Sequence, residues 1–345
     1  MPGLTETAQR FLERYRDELP SAQTAANLAR DTVEQIAKET GEVVHVVVAR
    51  AKALDSLRGK LRRKQYSRPS QQMTDLIGVR VITYYRDAVD PIVERLRHSF
   101  EINLKESGDK RLALGLRDFG YRSVHLIARL KSTQVLTPSH RPLRARWFEI
   151  QVRSILEHAW AEIEHEIVYK SGVIQPPEIL RRFAALAGSL ELLDNEFLAL
   201  REERNGLIEH YRVKYRRNQE QKRPFDVARL LGFLEASRPE GLSWRQAAAA
   251  HTPFSPGLEV SCIDALKSVG LSTPDSLKRT FRSPRFRYAL GSFAAANGIA
   301  PAVVSHLAAV VLAVVVKNAR MIQQHFPEMM YDSTIVRMVQ RRAKR

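Results

Sequence analysis

The sharpest feature of this 345-residue sequence is a change of pattern at Gln175-Pro176-Pro177. Proline lacks a backbone donor and biases the residue before it away from helix, so a proline pair closes the element that precedes it. Before the pair, short β-branched runs alternate with helical ones. After it, every periodic stretch reads as helix. A chain of this plan is expected to fold as α+β, with a mixed sheet and flanking helices followed by an all-α region. The expected divisions are N-terminal helices over 1–40, a mixed-sheet domain over 41–174, and a helical, basic region over 178–345.

Within the first part, Phe11, Leu12, Tyr15 and Leu19 make one apolar stripe and Ala25, Leu28, Val33 and Ile36 another. They predict two helices, the second ended by Gly41. Strands are predicted over Val43–Val48, Leu76–Tyr85, Ser99–Leu104, Ser123–Leu130 and Arg144–Val152. Helices are predicted over Ala51–Lys64, from an Asp90-Pro91 start to about Phe100, and over Ser154 to about Tyr169. In the last of these, Trp160, Ile163 and Ile167 are expected to form the buried stripe. Beyond the prolines, Ile179–Arg217 reads as one long or broken amphipathic helix and 259–345 as a small helical bundle.

A net charge of +17 attracts polyanions, meaning nucleotides, RNA or an anionic membrane surface. The single cysteine, Cys262, excludes an internal disulfide and a thiolate metal cluster, and the N-terminus reads as mature sequence without a secretory signal. A cytoplasmic protein is expected. Ile299–Val316 is apolar but short of the ~20 residues a span needs, and Pro301, Ser305 and His306 interrupt it. It is read as a buried core helix, with no membrane partner.

Strand alternation sorts the residues that carry chemistry. On Arg144–Val152, Phe148, Ile150 and Val152 share one face, while Glu149, Gln151 and Arg153 share the other. On the strand from Ser123, Val124, Leu126 and Ala128 face the core, and Tyr121, Ser123 and His125 point the other way. Arg50 and Lys52 follow the first strand, and Lys60, Arg62, Arg63 and Lys64 come one helix later. Asp75 opens the strand that carries Gly78 and Arg80, where strict alternation puts Asp75 and Arg80 on opposite faces. Two separated carboxylates can hold Mg²⁺, cationic side chains neutralise phosphate oxygens, and an exposed tyrosine can stack on a base. The chain contains neither a GxxxxGK[ST] loop nor a GxGxxG motif. Arg62, Arg63 and Lys64 read as a solvated face, and Lys60 belongs either to that face or to the site. His158, Glu162 and His165 mimic a helix-borne metal pattern but are read as its polar side.

ARAKALDSLRGKL (49–61), DLIGVR (75–80), FGYRSVH (119–125) and FEIQVRSILEHAWAEIEHEIVYK (148–170) resemble, in order and spacing, the motifs of RelA/SpoT-homology alarmone synthetases. The resemblance covers residues 40–172. It implies a nucleotidyltransferase-like mixed sheet and transfer of the β,γ-pyrophosphate of ATP to the 3′-hydroxyl of GDP or GTP, giving (p)ppGpp. It further implies Mg²⁺ at Asp75 and Glu149, with Glu149 completing the metal site or activating the hydroxyl. Arg50, Lys52, Lys60 and Arg80 are implied around ATP. Tyr121 is implied as a stacking platform for the acceptor base, with His125 and Gln151 near its ribose and phosphates. Relatives of this kind often self-associate.

Two departures bear on function. The lysine and proline that often precede the GYRS block are missing from KRLALGLRDFGYRS (110–123), which brings Arg111 and Arg117 forward as replacements. Some relatives with a similar FGYxSVH block are toxins that pyrophosphorylate the 3′ end of tRNA; the resemblance to them, with the missing lysine and the +17 charge, keeps that second acceptor in view and with it an RNA-binding role for the basic surface. A third reading is an inactive synthetase-like regulator that binds RNA or a partner. No His-Asp dipeptide occurs, so no hydrolase domain is expected. The basic cluster Lys278, Arg279, Arg282, Arg285 and Arg287, and the helix–Gly–helix pattern of 265–279, are left without an assigned role.

Overall fold

The computed structural model describes residues 4–109, 123–131, 143, 146–169, 176–237, 258–296, 306–318 and 320–326. They form two compact units, residues 1–199 and 200–345. The division falls within a long helix and not at the Pro176-Pro177 break.

The first unit opens with one helix, α1 (Glu6–Lys38), where two were expected. Thr5 caps it by accepting the Ala8 N–H at 3.3 Å. The two apolar stripes are one continuous face, from Ala8 through Tyr15 to Ile36. Pro20 does not break the helix because it is exposed, so the carbonyl deprived of its donor can be solvated. Gly41 closes the segment at φ +77°, a conformation that costs other residues strain.

Next come β1 (Val44–Ala51), α2 (Leu54–Lys64) and β2 (Ile77–Thr83). Helix α3 (Val89–Ser99) follows a 3₁₀ turn over Arg86–Ala88. Asp90 is not its cap: the N-cap is Ala88, with no side-chain bond, and Asp90 lies in the first turn. Strands β3 (Phe100–Ile102), β4 (Gly108–Asp109), β5 (Val124–Leu130) and β6 (Phe148–Ser154) complete a six-stranded sheet. Its order is β1-β2-β6-β5-β3, with β4 also on β5. Among the described strands only the β2–β6 pair is parallel, so the sheet is mixed, as expected.

One sheet face is core. Val79, Val81, Leu126, Ala128, Phe148, Ile150 and Val152 pack there with Ala26, Ala29 and Val33 of α1 and Ile92 and Leu96 of α3. The N-terminal half of α1 builds a second cluster, in which Phe11, Leu12 and Tyr15 meet Leu57, Leu61 and Leu76. Helix α4 (Ile155–Glu164) starts on a capping box: Ser154 Oγ accepts the Glu157 N–H, and Glu157 accepts the Ser154 N–H. A π turn, His165–Tyr169, continues it. Of the stripe expected there, only Trp160 is buried. Ile163 and Ile167 are 53% and 45% exposed. Trp160 is held by its N–H on the Phe183 carbonyl and by edge contact with that ring.

The long helix is α5 (Pro177–Arg216), continuous over 40 residues. The second unit adds α6 (Val227–Ala236), α7 (Leu258–Ser268), α8 (Pro274–Phe281), α9 (Pro284–Ala296), α10 (His306–Lys317) and a short α11 (Met321–His325). Ala309 to Val316 are buried in its core, so the described part of the apolar run, from His306, is a core helix. Among the described residues no helix is long and apolar enough to cross a membrane. The pattern at 265–279 is α7, a left-handed Gly270 and α8, with Leu266, Leu271 and Leu277 turned into the core as in a plain helical hairpin.

Candidate active site

The sheet face opposite the core carries the polar residues, and register decides which meet. Arg50 of β1 pairs with Gly78 of β2, which pairs with Glu149 of β6. One rung along, Val48 pairs with Arg80, Arg80 with Gln151, and Gln151 with His125 of β5. Directly paired residues point to the same face. The sheet therefore sets a guanidinium, a carboxylate, an amide and an imidazole over two adjacent rungs. An open cleft lies over them, lined by Arg50, Lys52, Asp75, Arg80, Glu149 and Gln151 among others. Gly78 at its floor leaves room, since a Cβ there would meet nothing within 4 Å.

Asp75 reaches this cleft because it precedes the regular strand, which begins at Ile77, so the alternation argument does not apply to it. Its Oδ2 accepts from Lys52 Nζ at 2.7 Å and Lys60 Nζ at 2.6 Å. Lys60 thus belongs to the site, while Arg62, Arg63 and Lys64 are exposed on the next turn of α2. Burial works against ionising Asp75, but the two ammonium groups outweigh it and hold the carboxyl below its usual range. For Lys60, burial opposes the charge and Asp75 overcomes it, raising its pKa. Asp75 Oδ1 is buried and, among the described residues, has no hydrogen-bond partner.

Glu149 is held from two sides. His125 Nδ1 is 2.7 Å from Oε1, and Gln151 Nε2 donates to Oε2 at 3.0 Å. Burial again favours the neutral acid, and His125 with Gln151 reverse it, so Glu149 also sits below the usual carboxylate range. With Nδ1 donating to the carboxylate, His125 Nε2 is the acceptor for the Ser123 hydroxyl at 2.6 Å. Hydroxyl, imidazole and carboxylate thus form one chain across β5 and β6.

The third group is cationic. Arg80 Nη1 contacts Glu162 of α4 at 2.8 Å, and Arg153 Nη2 contacts the same oxygen at 3.4 Å. Arg153 is 4% exposed, and burial with the neighbouring Arg80 charge lowers its pKa to about 10. His158 lies 3.9 Å from Glu162, and burial and Arg153 lower its pKa. Among the described residues no three His, Cys, Asp or Glu side chains converge as metal ligands, so the His158–Glu162–His165 spacing does not form a metal site.

Of the residues singled out from sequence, Arg50, Lys52, Lys60, Asp75, Arg80, His125, Glu149 and Gln151 belong to this one cleft and its immediate hydrogen-bond partners. Tyr121, Arg111 and Arg117 lie outside the described residues. Sequence reasoning missed Tyr15, which looked like one more apolar position of α1. Its hydroxyl donates to the Lys52 carbonyl at 2.9 Å and is 3.4 Å from the Leu76 carbonyl. A hydroxyl on an otherwise apolar stripe is the signal that marks it, because a buried phenol needs a partner.

A cleft with two ionised carboxylates, one keeping an unused buried oxygen, and several fixed cations is built for polyphosphate chemistry. Residues 49–173 match the family described as a region found in RelA / SpoT proteins. The chain is 26% identical over 196 residues to GTP pyrophosphokinase YjbM of Bacillus subtilis, covering 56% of this chain and 89% of that one. It is 28% identical over 159 residues to GTP pyrophosphokinase YwaC of the same organism, covering 45% and 72%. Among solved structures it is similar to small alarmone synthetase 1 from Bacillus subtilis, with 26% identity, a TM-score of 0.45, and coverage of 55% of this chain and 97% of that one.

Proposed function

We propose that the chain is an ATP:nucleotide 3′-pyrophosphotransferase, a GTP diphosphokinase that makes (p)ppGpp from ATP and GDP or GTP. The observation that carries this is Asp75, clamped by two lysines on one oxygen and bare on the other, facing the same cleft as an ionised Glu149. The names of the relatives add to it, since two of them are GTP pyrophosphokinases.

In this reading Arg50, Lys52, Lys60 and Arg80 bind the donor and offset its phosphate charge. Asp75 Oδ1 is the natural ligand for Mg²⁺, with Glu149 completing the site. Mg²⁺ takes few protein oxygens and fills its shell with phosphate and water, so two carboxylates suffice. When bound it would supply charge neutralisation on the transferred pyrophosphoryl group. Gln151 and His125 orient the acceptor, and Tyr121 stacks on its base. The 3′ oxygen attacks the β-phosphorus of ATP, the bond from that phosphorus to the α–β bridging oxygen breaks, and AMP leaves. The 3′-hydroxyl proton goes to Glu149, whose anionic state leaves it ready to accept. Positioning and fixed charge do most of the work, as in phosphoryl transfer generally.

The test is transfer from γ-³²P-labelled ATP with Mg²⁺, offering GDP, GTP and bulk tRNA in separate reactions. Label in a guanosine nucleotide, with AMP released, is expected. Label only in tRNA would overturn the acceptor assignment, and no labelled product would overturn the activity itself.

A further inference from the structure

Glu162 serves three partners with one oxygen. Its Oε1 lies 2.8 Å from Arg80 Nη1, 3.4 Å from Arg153 Nη2 and 3.9 Å from His158 Nδ1. Local structure puts it there. Arg153 is the next-to-last residue of β6, and the capping box at Ser154 turns the chain straight into α4. His158 and Glu162 stand about one and two turns past that cap, on one face of the helix. The face looks back over the strand the chain has just left, since Glu162 meets Arg153. Sheet register supplies the other side. Arg80 pairs directly with Gln151, and Arg153 is two residues further along β6, so the two arginines stand diagonally on one sheet face.

The two arginines differ in freedom. Arg153 is 4% exposed, and its Nε has no hydrogen-bond partner among the described residues. It is a fixed, buried cation whose charge is offset by Glu162 and Glu157. Arg80 is looser: a quarter of its side chain is exposed, and it lines the cleft. Like charges on one sheet face repel. Were Glu162 neutral, packing would keep Arg153 in place, and Arg80 would be the guanidinium that moves away. The contact with Glu162 is made through Nη1, and a guanidinium has further donors and a planar face to offer a ligand.

We propose that Glu162 is a positioning residue, which holds the Arg80 guanidinium at the cleft in the orientation that receives the donor, ATP. This rests on the donor assignment of Arg80 made above. A free arginine loses side-chain freedom when it grips a ligand. A tethered one has lost that freedom beforehand, so the anion on α4 is converted into donor affinity. A latch, in which Glu162 keeps Arg80 away from the donor, would act with the opposite sign. The geometry favours holding, because Arg80 lines the cleft while it is bonded to Glu162.

The test is calorimetric binding of α,β-methylene-ATP with Mg²⁺, and of GDP separately, to the full chain. Wild type is compared with Glu162→Gln, Arg80→Gln and the double variant. Glu162→Gln is expected to weaken the ATP analogue on the order of tenfold and to leave GDP unchanged. In the Arg80→Gln background the same change is expected to add less than about twofold, because Glu162 acts through Arg80. In turnover, KM for ATP rises in the same proportion while kcat changes much less. Equal or tighter binding of the analogue by Glu162→Gln would overturn the proposal. So would equal weakening of both nucleotides, which would mean that an unpaired Arg153 disturbs the fold, or a full loss that persists without Arg80. A wild type that binds no analogue overturns it too. A wild type that binds but transfers nothing sinks the reaction proposed above and leaves the binding constants to decide this inference.

Discussion

The Tyr15 hydroxyl donates to the backbone carbonyl of Lys52 at 2.9 Å, so a residue of the first helix fixes the segment that delivers an ammonium group to Asp75. The same oxygen lies 3.4 Å from the Leu76 carbonyl, one residue past Asp75. Tyr15→Phe takes the hydroxyl donor from the Lys52 carbonyl, while the Leu76 carbonyl keeps the Lys52 N–H at 2.8 Å. It is expected to cost about 1 kcal/mol, read as a lower urea midpoint with unchanged slope. Transfer should fall with it, because Lys52 and Asp75 lose a shared anchor.

Asp75→Asn removes the anion that Lys52 and Lys60 share. Transfer is expected to drop by roughly 100-fold or more, the scale of losing a charged group at a phosphoryl-transfer site. Single-turnover assays at saturating Mg²⁺ check it, with circular dichroism unchanged.

Glu149→Gln keeps the shape and one acceptor oxygen but removes the charge. Transfer is expected to be abolished while the fold stays intact. Turnover like that of the wild type would sink the assignment of Glu149.

Both site carboxyls titrate below their ordinary range in the folded chain, although burial alone would raise them. A depressed folded value means a stabilising contribution that is complete above the unfolded value of ~4 and is lost as pH falls through the folded values. The stabilisation from these groups is therefore expected to be full and constant between neutral pH and ~5, and to be lost progressively below ~4. Urea midpoints against pH should show a shallower acid-side fall in Asp75→Asn.

Gly232 tests the second unit. A Cβ on it would lie 2.7 Å from the Ile208 carbonyl oxygen and 2.8 Å from Tyr211 Cβ, both on α5. Gly232→Ala is expected to destabilise by about 1–3 kcal/mol through overpacking, despite the better helix propensity of alanine. Thermal unfolding of the full chain measures it.

Much of the site was legible because strands repeat every two residues. Phe148, Ile150 and Val152 against Glu149 and Gln151 can be read without a structure. Asp75 could not be placed that way, since it stands outside the regular strand and is aimed by Lys52 and Lys60 from two other elements. Lys60 looked like its exposed neighbours Arg62 and Arg63, and only the position of Asp75 separates them. Periodicity also overstated burial along α4 and the π turn after it: Ile163 and Ile167 fit the stripe of Trp160, yet both are exposed while Trp160 is buried. Pro20 read as a break between two helices, but its exposure lets α1 run through.

The sheet order has a temporal consequence. Strand β6 is last in the chain yet occupies the middle of the sheet, between β2 and β5. A ribosome-bound chain that has not yet released residue 154 cannot join its two sheet halves, and Glu149 and Gln151 are not yet seated between them. The cleft has no half-built version, so a nascent chain holds its cations and its first carboxylate apart from any acceptor group until the sheet closes in one late step.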